Sequence, residues 1–157
     1  MPHTQERFRL FAATYIILVR DGKIFLLRRF NTGWMDGKYT LPAGHIEENE
    51  TVRQATIRET KEETGIKIKN GDLRCVHVMH RYSLQPSGSN VRVYIDFFFT
   101  VHNFVGIPAA IEKECSDRGE WFPLDNLPDN TLPYVKVAIE NYKKNIPYSE
   151  FGWRVKI

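Results

Sequence analysis

Three carboxylates close together on one predicted helix, Glu59, Glu62 and Glu63, are the side chains in this sequence best suited to chemistry. Val52 to Thr64 has the length and propensity for about three to four turns of helix. Thr51 followed by Gln54 predicts a capping box at its start, and Gly65 stands where a left-handed C-terminal cap belongs. At about 100° per residue, Val52 and Ala55 begin a stripe facing the protein body. Its continuation brings up Glu59, Glu62 and Glu63 within roughly a third of the circumference. Glu59 and Glu63 are also a like-charge pair one turn apart, which costs a few tenths of a kcal/mol unless something neutralises it. Hard divalent cations seek such oxygen clusters, and Mg²⁺ takes one or two carboxylates together with substrate phosphates. A bare E-x-x-E-E on a helix is more often a solvated face, so its setting decides.

The setting is specific. Gly44, Glu50, Arg58, Glu59, Glu62, Glu63, Gly65 and Ile66 fit G-x5-E-x7-R-E-U-x-E-E-x-G-U, where U is a bulky apolar residue. This pattern resembles the signature of the Nudix hydrolase family. One position departs, Thr60 standing where an aliphatic residue is usual; its branched methyl reads as a packing variant. Weaker likeness extends to Leu41-Pro42-Ala43-Gly44-His45 upstream, and to Trp121-Phe122 with Leu127-Pro128 downstream. The resemblance implies an α/β/α sandwich with a mixed β-sheet, and hydrolysis of a diphosphate linkage supported by Mg²⁺ or Mn²⁺. A diphosphate repels an anionic nucleophile, so cations must bridge its oxygens and a carboxylate must take the proton of the attacking water.

Carried over position by position, the resemblance makes Glu59 and Glu63 primary metal ligands and Glu62 a further one, direct or through water. Gly44 is implied to turn the chain so that backbone near Ala43 can approach the metal. Glu59 and Glu62 are the implied catalytic acids, Glu59 the first choice for general base. Arg58 joins them by orienting a glutamate, with Glu50 as its structural partner. Some family members recruit an acid from outside the box. Glu112 and Glu114 are the candidates here, although a solvated loop is the simpler reading of both. Arg28 and Arg81, with Arg29, are candidates to hold substrate phosphates. Trp34, Tyr39 and Phe122 could stack on a base, but aromatics near strands are more often core. His45, His77, His80 and His102 make no zinc-type pair, and no catalytic serine or cysteine arrangement is evident.

The elements that must position this helix follow from pattern. Phe11 to Val19 and Ile24 to Arg29 flank Asp21-Gly22, a strong hairpin signal, and the first run is apolar on both alternations. Phe30 to Gly37 is a loop. Tyr39-Thr40-Leu41 is a short strand stopped by Pro42. Leu73 to Tyr82 and Val91 to His102 are further strands joined by the Gln85 to Asn90 loop. The second alternates so that Arg92 and Asp96 share a face. Phe104 to Arg118 reads as loop, Trp121-Phe122 as strand and Tyr134 to Lys144 as a closing helix. The aromatic tail from Ile146 to Ile157 is expected to pack on the body.

The 157 residues read as one domain, residues 1–157, with the 42% hydrophobic and 13% aromatic content of a globular chain. No apolar run is long enough to cross a bilayer. The N-terminus lacks the apolar core of a signal peptide. Cys75 and Cys115 have no metal-ligand spacing and read as free thiols of a cytoplasmic protein. A net charge of +3 suits an anionic substrate and falls short of a nucleic-acid footprint, so no stable nucleic-acid complex is expected. The favoured function is Mg²⁺-dependent hydrolysis of a free nucleotide, a (deoxy)nucleoside triphosphate giving monophosphate and pyrophosphate. ADP-ribose or a nucleotide sugar is the alternative substrate, the position of Pro86 keeping ADP-ribose open. A non-catalytic nucleotide-binding module is the alternative class, against which the intact acids argue. RNA cap removal, which would favour a longer basic surface, comes after these. Oligomeric state is not legible.

Overall fold

A computed structural model of the chain describes residues 7–85, 88 and 90–154. The first apolar run forms β1 (Phe11–Ile17) and, after Leu18, β2 (Val19–Arg20). Asp21 and Gly22 both take positive φ, 52° and 71°, as a tight hairpin turn requires, and lead into β3 (Lys23–Arg29). Then follow β4 (Tyr39–Thr40), β5 (Ala43–His45), α1 (Val52–Thr64), β6 (Leu73–Leu84), β7 (Val91–Val101), β8 (Ser116–Pro123), α2 (Pro133–Lys143) and β9 (Tyr148–Phe151). Pro86 lies outside the described residues.

The strands form two sheets, where the sequence pattern suggested one. A mixed sheet runs β5-β1-β7-β6-β9, with β1 parallel to β7 and β9 parallel to β6. In the second, β3 is flanked by β8 on one side and by β2 and β4 on the other. The division falls at Leu18, which the continuous apolar run conceals: Leu18 is fully buried, so composition does not change where the chain crosses between sheets. Successive side chains of β1 enter different cores, as the period of two demands. Tyr15 and Ile17 pack with Tyr134, Val135, Ala138 and Ile139 of α2, while Ile16 and Leu18 join Phe25, Leu27 and Ile66.

Helix α1 has both predicted caps. Gln54 N–H donates to Thr51 Oγ1 (3.2 Å) and Thr51 N–H to Gln54 Oε1 (2.7 Å), while Gly65 sits at φ 76°. Its buried face is rotated from the expected stripe and consists of Ala55, Thr56, Thr60 and Thr64. Thr60 is fully buried and donates to Thr56 O (2.7 Å), and Thr56 Oγ1 meets Thr14 Oγ1 of β1. Two other expectations change. Ser116 to Arg118 belongs to β8, because it pairs with the end of β3. Gly44 lies in β5, paired with Thr14, and is not among the residues with positive φ, so it makes no turn. The aromatic tail does pack on the body: Trp153 Nε1 donates to His80 O (3.0 Å) and its ring lies against His80 and Tyr82.

Candidate active site

Three acids of the box, Glu50 before α1 and Glu59 and Glu62 on it, gather around Arg58. The Arg58 guanidinium forks onto Glu50 through Nε (3.1 Å) and Nη2 (2.7 Å). Its Nη1 donates to Glu59 (2.7 Å) and Glu62 (3.3 Å), and Nη2 also reaches the His45 carbonyl (3.2 Å). Glu63 points the other way and accepts the Ala43 N–H at 2.7 Å. Gly44 is explained by space: a Cβ there would lie 1.9 Å from Cδ of Glu59, so only glycine lets that side chain lie across β5.

Electrostatics divides the acids. Burial pushes the Glu63 carboxyl up to about 8; the Ala43 N–H opposes this, while Glu59 and Glu112 reinforce it. Glu59 is raised by burial, with Arg58 opposing and Glu62 and Glu112 adding to it. Glu50 is held low by its Arg58 hydrogen bond and the Glu47 N–H. Arg58 is held firmly charged, first by Glu50 and then, against its own burial, by Glu59.

The donor set fits a hard divalent cation. Glu59, Glu62 and Glu63 supply only carboxylate oxygens, as Mg²⁺ and Mn²⁺ prefer. The enclosed Glu63 and Glu59 carboxyls repel one another, a burden that a cation would lift. As the side chains stand, Glu59 and Glu62 are turned to Arg58, and no group of three acids, histidines or cysteines converges on one point among the described residues. Arg58 is thus the resident counter-charge of the acids that would hold the metal.

Beside the box lies a cavity of about 310 Å³. Gly44 and Glu63 are in its lining, with Tyr15, Arg81 and Tyr94 from the mixed sheet and Tyr134 from α2. Arg29 and Trp34 contribute from the second sheet and its loop, the Arg29 guanidinium lying 5.0 Å from the Trp34 ring and donating to Trp34 O (2.8 Å).

The other sequence candidates separate. Arg81 is in this cavity, buried and paired with Asp96. Arg28 is not among its lining residues and pairs with Asp117, whose carboxyl it holds low. Neighbouring strand residues face opposite ways, so only one of Arg28 and Arg29 could enter. Glu112 sits in the loop before β8, which docks on the end of α1 through Ile111 N–H to Glu63 O (3.0 Å), and its charge acts on both Glu59 and Glu63. Glu114 is exposed. Tyr39 and Phe122 pack edge to face against each other outside the cavity lining, whereas Trp34 lines it. Sequence reasoning missed Tyr15, Tyr94 and Tyr134, which read as core. Their signal was the Asp96 charge among the apolar residues Ile95, Phe97, Phe98 and Phe99 of β7, which called for a buried partner.

A model of the NUDIX domain matches residues 9–142. An uncharacterized Nudix hydrolase of Bacillus subtilis is 32% identical over 73% of this chain and 66% of its own length. An ADP-ribose pyrophosphatase of Methanocaldococcus jannaschii is 30% identical over 82% of this chain and 70% of its own. An NAD-capped RNA hydrolase of Chromobacterium violaceum is 32% identical over 75% of this chain, which spans only 40% of that protein. Among solved structures, the MutT NUDIX hydrolase from Burkholderia pseudomallei superposes with a TM-score of 0.73 at 26% identity, covering 85% of this chain and 98% of that one.

Proposed function

Because the chain belongs to the Nudix hydrolase family and is a hydrolase of phosphoanhydride bonds, we propose that it is a divalent-cation-dependent pyrophosphohydrolase of a free nucleotide. The leading substrate is a nucleoside or deoxynucleoside triphosphate, cleaved to the monophosphate and pyrophosphate. The observation that carries this reading is the cavity of about 310 Å³ beside the box, whose lining joins Glu63 of α1 to Arg29, Arg81, Arg92 and three tyrosines. The M. jannaschii relative favours a second reading, ADP-ribose or a nucleotide sugar. In either case the substrate is a nucleotide-linked small molecule.

Mg²⁺ or Mn²⁺ held by Glu59, Glu62 and Glu63 would neutralise diphosphate oxygens and acidify a water. The chain's own residues do the rest. Glu59 takes a proton from the attacking water. Arg58 sets the direction of Glu59 and Glu62 and is itself fixed by Glu50. Oxygen bonds to phosphorus, the bridging P–O bond breaks, and pyrophosphate leaves with the electron pair. Glu112, whose charge acts on Glu59 and Glu63, is the outside acid able to share the proton.

Phosphorus-31 NMR of the protein with Mg²⁺ and a panel of nucleoside triphosphates, ADP-ribose, nucleotide sugars and dinucleoside polyphosphates tests this. Triphosphates should give monophosphate and pyrophosphate. ADP-ribose consumed in their place would select the second reading. Survival of every substrate, with Mn²⁺ and at alkaline pH as well, would leave a nucleotide-binding module.

A further inference from the structure

The cavity wall across the mixed sheet from Glu63 holds a charge that the chemistry above does not use. Arg81 is 4% exposed and Asp96 fully buried. Asp96 accepts from Arg81 Nε and, at 3.2 Å, from Nη2, which also lies 3.5 Å from the Tyr15 hydroxyl. The Arg81 guanidinium carbon stands 4.1 Å from the ring centres of both Tyr94 and Tyr134. A guanidinium so clamped cannot swing. Its Nη1 has no acceptor among the described residues, although Arg81 lines the cavity. Tyr134 lines the same cavity, and its hydroxyl, which accepts from Tyr15 at 3.2 Å, keeps its own proton to give.

Such a pair is weak as a device for stability, since two desolvated charges rarely gain more than apolar packing would. It is also a poor phosphate site, because Asp96 already balances the charge. What it offers the cavity is a rigid N–H without an acceptor of its own, and the Tyr134 O–H, whose proton Tyr15 does not take. In sheet order β6, which carries Arg81, is three strand spacings from β5, whose Ala43 N–H holds Glu63, about 14 Å at ~4.8 Å each and on the scale of a nucleoside. Guanine presents the acceptors O6 and N7, and thymine or uracil presents O4. Adenine and cytosine place an amino donor at the matching position.

We propose that Arg81 Nη1 and the Tyr134 hydroxyl determine specificity by reading the base, selecting oxo bases (guanine, uracil or thymine) over amino bases (adenine, cytosine). The proposal deepens the nucleotide reading above and rests on it.

Isothermal titration calorimetry with GMP, UMP, AMP and CMP in MgCl₂ tests it. GMP and UMP should bind about tenfold more tightly than AMP and CMP, the value of one good hydrogen bond to a base edge. Arg81→Lys keeps a charge for Asp96 but removes Nη1. It should weaken GMP and UMP about tenfold and leave AMP and CMP within about twofold. Tyr134→Phe keeps the ring over the guanidinium and should give the same selective loss, smaller in size. If melting curves show that Arg81→Lys does not fold, Tyr134→Phe decides alone. Equal affinity of the wild type for all four nucleotides, or a uniform loss across them in the variants, would overturn the proposal. An oxo preference in binding with no triphosphate turned over would sink the hydrolysis reading and leave this one standing. Turnover without base preference would do the reverse.

Discussion

Among single residues, Glu63 and Glu62 should both lose turnover on the same substitution and differ in stability. Glu63 is enclosed, and its carboxyl is pushed up to about 8 chiefly by burial. The folded chain therefore binds this proton more tightly than the unfolded chain does. That contribution to stability is whole below pH ~4.5 and is lost as pH rises towards 8, at up to 1.4 kcal/mol per pH unit. Glu63→Gln keeps an acceptor for the Ala43 N–H and removes the penalty. Without metal at pH 8 it should unfold roughly 2–4 kcal/mol harder than wild type, the range allowing for the solvent that still reaches the carboxyl, and near pH 5 it should match wild type. Its turnover should fall by orders of magnitude. Glu62 has a side chain 48% exposed, so Glu62→Gln should cut turnover with stability unchanged. Chelator-treated melts at the two pH values, beside rate assays, measure both; a Glu63→Gln protein no more stable than wild type at pH 8 would show that burial carries no penalty. Gly44→Ala tests the neighbouring contact. The clash is with the end of a flexible side chain, so the fold should survive while Glu59 leaves Arg58 and the rate drops about a hundredfold or more.

At the scale of the element, α1 shows what sequence could and could not say. Its ends were legible, because Thr51, Gln54 and Gly65 act on backbone within a few residues of themselves. Its buried face was not. Thr56, Thr60 and Thr64 look polar in any periodic reading, yet each returns its hydroxyl to the carbonyl one turn back, which lets three threonines pack against the sheet. Gly44 misled for the opposite reason: glycine suggests a turn, whereas here it makes room for a distant side chain, and only the fold reveals that neighbour. The threonines differ in one testable respect. Thr60 Oγ1 bonds only its own helix, so Thr60→Val should leave stability within about 1 kcal/mol of wild type, on the stabilising side. Thr56 Oγ1 also satisfies the buried Thr14, so Thr56→Val should lose about 1–2 kcal/mol. Urea denaturation of the two variants reads the difference directly. Equal losses would mean that the Thr14 contact contributes nothing.

For the whole molecule, the box and the fold class could be read from sequence because fixed spacing on one helix survives without knowledge of the rest. The cavity could not, since Arg29, Gly44, Glu63, Arg81 and Tyr134 come from five elements whose meeting depends on the chain crossing between sheets at Leu18. That assembly is held by two apolar cores to which none of the acids belongs. A chelator should therefore abolish turnover and leave far-ultraviolet circular dichroism unchanged. Metal should still stabilise the fold by mass action, by about 2.7 kcal/mol at a hundred times its dissociation constant. The increment should depend on pH in a direction fixed by Glu63. At pH 6 its carboxyl is mostly protonated and must release that proton to bind a cation, whereas at pH 8.5 it is mostly ionised and already repelled by Glu59. Saturating Mg²⁺ should raise the melting temperature more at pH 8.5 than at pH 6, and Glu63→Gln should remove most of the difference. An increment that is the same at both pH values would place the metal away from Glu63, and unfolding by chelator would mean that the cation holds the core rather than the substrate.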